Sequence, residues 1–170
     1  MNDYLQKQIN LLDRIRLTLR VIGIIAGVSA AISPGLVFSG SSGWMIATVC
    51  VVAGFPTGMH FMFLGLALRG RASELRALSA LTHDAFQFAP VLKPYLRKIG
   101  VHRVILWVLA ALILAQIAVP LGALQQYSDT GSSGALVGFI GAYLLNAGVQ
   151  IYLGFVLQKQ ITDLTPALNT

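Results

Sequence analysis

Charge is what this chain has least of. Only 11% of its 170 residues are Asp, Glu, Lys or Arg, while 56% are apolar. Soluble domains carry about 25% charged residues, and the mean hydropathy here is +0.75. So few charges do not suit a water-covered globule. Cysteine is nearly missing too. The single Cys50 excludes an intrachain disulfide and says nothing of redox compartment. With no Cys/His cluster, a zinc site is not expected. Acidic residues number six, and none lies inside a long apolar run. That removes the intramembrane carboxylate on which proton-coupled transport usually depends. No Gly-rich phosphate loop ending in Lys occurs, nor HExxH, nor GxSxG. Ser29, Ser33 and Ser39 have no base nearby in sequence. The expectation is no catalysis by this chain alone, and no cofactor.

What is present is apolar length. A spanning helix takes roughly 20 apolar residues, since the hydrocarbon core is about 30 Å thick. Four segments qualify: 19–38, 44–68, 104–124 and 135–157. Helices are expected because barrel strands alternate over shorter segments. The fold class predicted is an all-α integral membrane protein of four helices in one domain. Residues 1–18 precede the first span, 69–103 form a loop with its own helix, and 158–170 form a tail. Eighteen mixed residues before the first span do not fit a cleaved signal peptide.

The basic residues fall on one side. Lys7, Arg14, Arg16 and Arg20 precede or open the first span. Arg69, Arg71, Arg76, Lys93, Arg97, Lys98 and Arg103 lie between the second and third, and Lys159 follows the fourth. The opposite side holds two short turns with Asp129 as their only charge. By the positive-inside rule both termini and the long loop are cytoplasmic, in a bacterial inner membrane. Trp44 and Tyr127 sit at the outer boundary, Trp107 and Tyr152 towards the inner one, as interfacial aromatics do. A pI near 9.9 is then read as contact with anionic lipid headgroups, and no direct nucleic-acid contact is expected. Arg14, Arg16, Arg69, Arg71, Arg76, Lys93, Arg97 and Lys98 are the residues expected to meet lipid or a partner protein.

Two stretches, SGSSG at 39–43 and TGSSG at 130–134, close the outer ends of two similar units. Arg20-Val21-Ile22 and Arg103-Val104-Ile105 open them, Pro34 and Pro120 stand near their outer ends, and FMFLGLAL at 61–68 resembles QIYLGFVL at 150–157. This is the outline of an internal repeat of antiparallel hairpins. Apolar helices joined by Gly/Ser turns give a similar look without one.

Small residues mark packing faces, because close approach drives helix association in lipid. Gly23, Gly27, Ala31 and Gly35 recur every four residues, and Gly54 and Gly58 do the same. Gly138 with Ala142, and Gly141 with Gly148, form a further set. They serve either self-association or packing within the chain. Pro56, flanked by glycines, is a hinge or a static kink. Four polar side chains lie within the spans: His60, Gln116, Asn146 and Gln150. Asn146 and Gln150 share a helix face, and Gln116 is their expected partner by depth. They either bond between helices or line a pore. His60 lacks a second histidine at its depth for bis-histidine haem, since His83 and His102 lie in the loop and at the boundary.

Residues 72–86, ASELRALSALTHDAF, are predicted to form a loop helix, which Pro90 and Pro94 then interrupt. Leu5, Ile9, Leu12, Ile15 and Leu19 give the N-terminal segment one apolar face. It either lies on the interface or runs on into the first span. Length and the four-span plan resemble the small membrane subunits of tripartite solute transporters, although MIATVC follows Trp44 where those carry an acidic pair. The leading expectation is a self-associating inner-membrane subunit that presents a basic surface to a partner. Such a part belongs to a defence, secretion or transport assembly. An oligomeric ion or solute channel and a transporter's small subunit are the alternatives.

Overall fold

The computed structural model describes residues 2–32, 51, 54–81, 85–117 and 133–168, apart from the side chains of 85–87 and 133–136. Among these residues the chain is all helix. α1 spans Asn2–Ile32, α2 Phe55–Ala80, α3 Ala85–Gln116 and α4 Ser133–Leu164, closed by a 3-10 turn at Thr165–Leu168. Three helical stretches are long and apolar enough to cross a membrane: Asn2–Ile32, Phe88–Gln116 and Val137–Leu168. Within the described residues α2 is long enough at 26 residues but not apolar enough, because Arg69, Arg71, Glu74 and Arg76 occupy its second half. The earlier part of the predicted second span, with Cys50, lies outside the described residues except for Val51. So do both Gly/Ser turns save Ser133 and Gly134, together with Gly35.

The buried positions of each helix step by three, four or seven residues. In α1 they include Leu5, Ile9, Leu12, Leu19, Gly23 and Ala30. In α3 they are Phe88, Leu92, Tyr95, Ile99, Leu106 and Ala110. In α4 they include Asn146, Gln150, Leu153, Leu157, Gln160 and Leu164. This is the 3.5-residue seam of bundles whose ridges fit neighbouring grooves at shallow angles. One seam runs the length of each helix, so the N-terminal segment is the first part of α1 and not a separate element. The predicted loop helix is likewise the end of α2. It stops at Leu81, whose N–H turns back to Leu78 O at 3.1 Å.

The two prolines correct a prediction. Pro90 and Pro94 do not break the chain; both lie inside α3. They are exposed, while Phe88, Leu92, Tyr95 and Ile99 form the buried stripe between them. The carbonyls that lose a partner therefore face away from the core, where solvent satisfies them.

α1 packs along α2, and α3 along α4. In each pair the numbers rise on one helix and fall on the other. Asn2 meets Ser79, Asp13 meets Arg76 and Gly23 meets Gly58. Tyr95 meets Gln160, Arg103 meets Gln158 and Trp107 meets Gly154. The two pairs share a burial pattern. Buried Thr57, Gly58, Phe61, Leu64, Gly65 and Leu68 correspond, 89 residues on, to buried Asn146, Ala147, Gln150, Leu153, Gly154 and Leu157. Leu5, Ile9, Leu12 and Gly23 correspond, 83 residues on, to buried Phe88, Leu92, Tyr95 and Leu106.

The main apolar core lies at the charged end, around Leu12, Leu75, Leu92, Ile99, Leu157 and Leu164. The apolar end leaves Ile24, Ile25, Val28, Ile32, Phe55, Leu112 and Val137 exposed. At the charged end Glu74 ties α2 to α3, with Lys98 Nζ at 3.0 Å and Arg71 Nη1 at 2.8 Å. Burial pushes the Glu74 carboxyl up, but the hydrogen bonds and charges of Lys98 and Arg71 outweigh it, and the net shift is downward from 4.5. A depressed carboxylate stabilises the fold above its unfolded pKa, and that contribution disappears as pH falls through the lower folded value. Thermal stability measured from neutral pH down through this window should fall, and Glu74→Gln should flatten part of the fall. The effect is modest, since the side chain is a third exposed.

Candidate functional site: a polar bridge between the helix pairs

α2 and α4 carry the polar side chains that join the two pairs within the apolar half. Thr57 and His60 are three apart on α2, and Asn146 and Gln150 four apart on α4. Each couple therefore lies on one helix face. Asn146 Nδ2 donates to Thr57 Oγ1 at 3.0 Å. Gln150 Nε2 stands 3.1 Å from His60 Nε2, and the amide donates there when the ring carries its proton on Nδ1. Gln150 is fully buried, and Thr57 and Asn146 nearly so. Thr57 and Asn146 are matched positions of the two units and touch one another, as residues beside a pseudo-twofold axis would.

The bridge is not saturated. Asn146 Oδ1 and Gln150 Oε1 are buried without a hydrogen-bond partner among the described residues. Beside them a cavity of about 300 Å³ is lined by Pro56, Thr57, His60, Ile113, Ala142, Tyr143 and Asn146. These groups are neutral, so the space suits water or a small neutral hydrogen-bonding solute better than an ion held by opposite charge. Among the described residues no cluster of His, Cys, Asp or Glu could hold a metal.

An orphaned amide oxygen has a measurable consequence. Gln150→Leu removes the orphaned Oε1 together with the bond to His60, whose half-buried ring lines the cavity and can bond water instead, so the cost should stay below about 1 kcal/mol. Reversible unfolding in detergent checks this. A loss of several kcal/mol would mean that Oε1 is satisfied after all.

The sequence-predicted residues fare differently. His60, Asn146 and Gln150 come together. Gln116 does not join them; it is exposed near the end of α3, and Thr57 and His60 take the roles expected of it. Pro56 is the second residue of α2 and lines the cavity, and just before it Val51 and Gly54 are in π-helical geometry. Gly23 and Gly58 face each other: a Cβ on Gly58 would stand 2.9 Å from Gly23 O and 3.2 Å from Gly27 N. Gly54 lies near Ala26 O, while Gly27 has open space where its own Cβ would be and Ala31 is exposed. Gly138, Gly141 and Gly148 are also exposed.

At the charged end Gln160, fully buried, accepts from Tyr95 Oη at 3.1 Å and donates to Gln8 Oε1 at 3.0 Å. It joins α4 to α3 and α1. Arg14, Arg69, Arg76, Lys93, Arg97 and Lys98 are exposed, Arg16 and Arg71 half-buried. The sequence reading passed over Thr57 and Gln160, although the α4 seam that holds Asn146 and Gln150 reaches Gln160 by the same steps.

Comparison of the chain with protein-family models, with characterised proteins and with solved structures yields no match in any of the three.

Proposed function

We propose that the chain is a non-enzymatic, multi-pass subunit of a bacterial inner membrane, with both termini cytoplasmic and the helices arranged as two hairpins. It assembles with further copies of itself and presents its basic end to a protein partner in a defence, secretion or transport assembly. The observation that carries the reading is where the core lies. The main apolar core and the tying ion pairs are at the charged end, while the apolar end exposes large side chains that suit lipid. A well-packed end surrounded by Arg14, Arg76, Lys93 and Arg97 is what a rigid docking platform needs. Of the glycine faces left open between self-association and packing within the chain, those already used inside it are set apart by contact. Gly23 and Gly58 are used inside the chain, whereas Gly141 and Gly148 have open space around them.

The unsaturated bridge and its cavity favour one second reading, an oligomeric channel in which the space beside Asn146 joins a lumen. Mass in nanodiscs and flux into liposomes separate the two. The subunit reading expects an oligomer that conducts neither ions nor small solutes. A monomer would refute self-association, and flux abolished by Asn146→Leu would replace the subunit reading with the channel.

A further inference from the structure

On the outer side of the α1–α2 pair, Arg16 and Arg20 of α1 and Arg69 of α2 converge on a cavity of about 430 Å³, floored by Met62, Gly65 and Leu66. Guanidinium groups are always charged, so bringing them together without an anion is unfavourable. Asp13 offers Arg16 only a loose ion pair: its Oδ1 lies 3.8 Å away without a hydrogen bond, and its Oδ2 is bound by Arg76. Among the described residues Arg20 and Arg69 have no acidic partner. A Cβ on Gly65 would stand 3.8 Å from Arg16, an ordinary contact, so Arg16 and Gly65 border the same space.

The matching place in the other pair shows what is missing. Arg103 corresponds to Arg20, Gln158 to Arg69, and Gly154 to Gly65. There Arg103 donates to Gln158 Oε1 and stacks on Trp107 at 5.2 Å, and the indole lies over Gly154. That cation has its acceptor and its ring. In the first pair an arginine stands where the acceptor would be, and the space is empty of side chain.

We infer that Arg16, Arg20 and Arg69 bind the phosphate of an anionic phospholipid, with its acyl chain lying on Met62 and Leu66. Guanidinium forks bind phosphate oxygens bidentately. Leu66 and Met62 are exposed apolar side chains about one and two turns from Arg69 towards the apolar end, where a lipid tail would follow its headgroup. The inference rests on the proposed membrane placement, in which these arginines stand at headgroup level.

The test uses the delipidated full chain in neutral detergent, titrated with phosphatidylglycerol, phosphatidylcholine or soluble glycerol 3-phosphate and read by native mass spectrometry. The wild type should bind phosphatidylglycerol about tenfold more tightly than phosphatidylcholine. Arg20→Gln with Arg69→Gln should abolish that preference, while the charge-matched pair Lys7→Gln and Lys159→Gln should keep it. All four residues are exposed, so folding is not at stake. Equal loss in both double variants, or no preference in the wild type, would overturn the site as mere diffuse attraction. Displacement of the lipid by equimolar glycerol 3-phosphate would overturn the lipid in favour of a soluble phosphate. Topology is measured separately by labelling in liposomes. Wrong topology with intact selectivity faults the membrane placement, and right topology without selectivity faults the site alone.

Discussion

Replacing Gly58 by leucine should separate α1 from α2 and give the largest stability loss of any single glycine change on the α1–α2 face. The atoms that a side chain would strike, Gly23 O and Gly27 N, are backbone, so no rotamer change relieves the contact. Forcing extra atoms into a packed contact costs about 1–3 kcal/mol. Gly58→Ala already falls in that range, and leucine exceeds it. The contrast is internal to the protein. Gly70 and Gly141 have nothing near the place of a Cβ, and Gly→Ala within a helix favours the helix by roughly 0.5–1 kcal/mol. Gly70→Ala and Gly141→Ala should therefore stabilise. Denaturant unfolding in one detergent measures all of these. If Gly58→Ala matched Gly70→Ala, the close α1–α2 approach would be refuted.

Gln160→Leu should be the most damaging polar change. Tyr95 Oη is buried and bonds to Gln160, and leucine leaves it without an acceptor. An unsatisfied buried donor costs about 1–3 kcal/mol. Tyr95→Phe removes the same hydroxyl and should restore much of the loss when combined with Gln160→Leu. The double-mutant cycle makes the claim specific. Additive losses would mean that the two side chains do not depend on one another. Gln8 suffers less, because it is half-buried and water can reach it.

The helical class, the buried face of the N-terminal segment and three of the four bridge residues were legible because they depend on local pattern. Leu5, Ile9 and Leu12 declare a face by spacing, and Asn146 and Gln150 share one by being four apart. What spacing does not carry is which helix lies opposite. Gln116 matched Asn146 in depth, yet the hydrogen bond of Asn146 goes to Thr57. Pro90 and Pro94 misled for a related reason. Their four-residue spacing places both on the exposed side of α3, where a lost hydrogen bond costs little, but the exposed side is set by the leucines that pack behind it. The glycines divide in the same way. Recurrence every four residues marks Gly23 and Gly27 alike, and only three-dimensional contact separates the one that is filled from the one that is open.

α4 carries one unbroken seam from Asn146 to Gln160. The two residues are four turns apart, about 21 Å along the axis at 1.5 Å per residue. A helix is stiff over that distance, so it behaves as a shaft held at both ends by polar teeth. Twisting it enough to disengage Gln160 from Tyr95 would also turn Asn146 away from Thr57. A partner that gripped the basic end would thus have a lever on the cavity, and the lever needs no hinge.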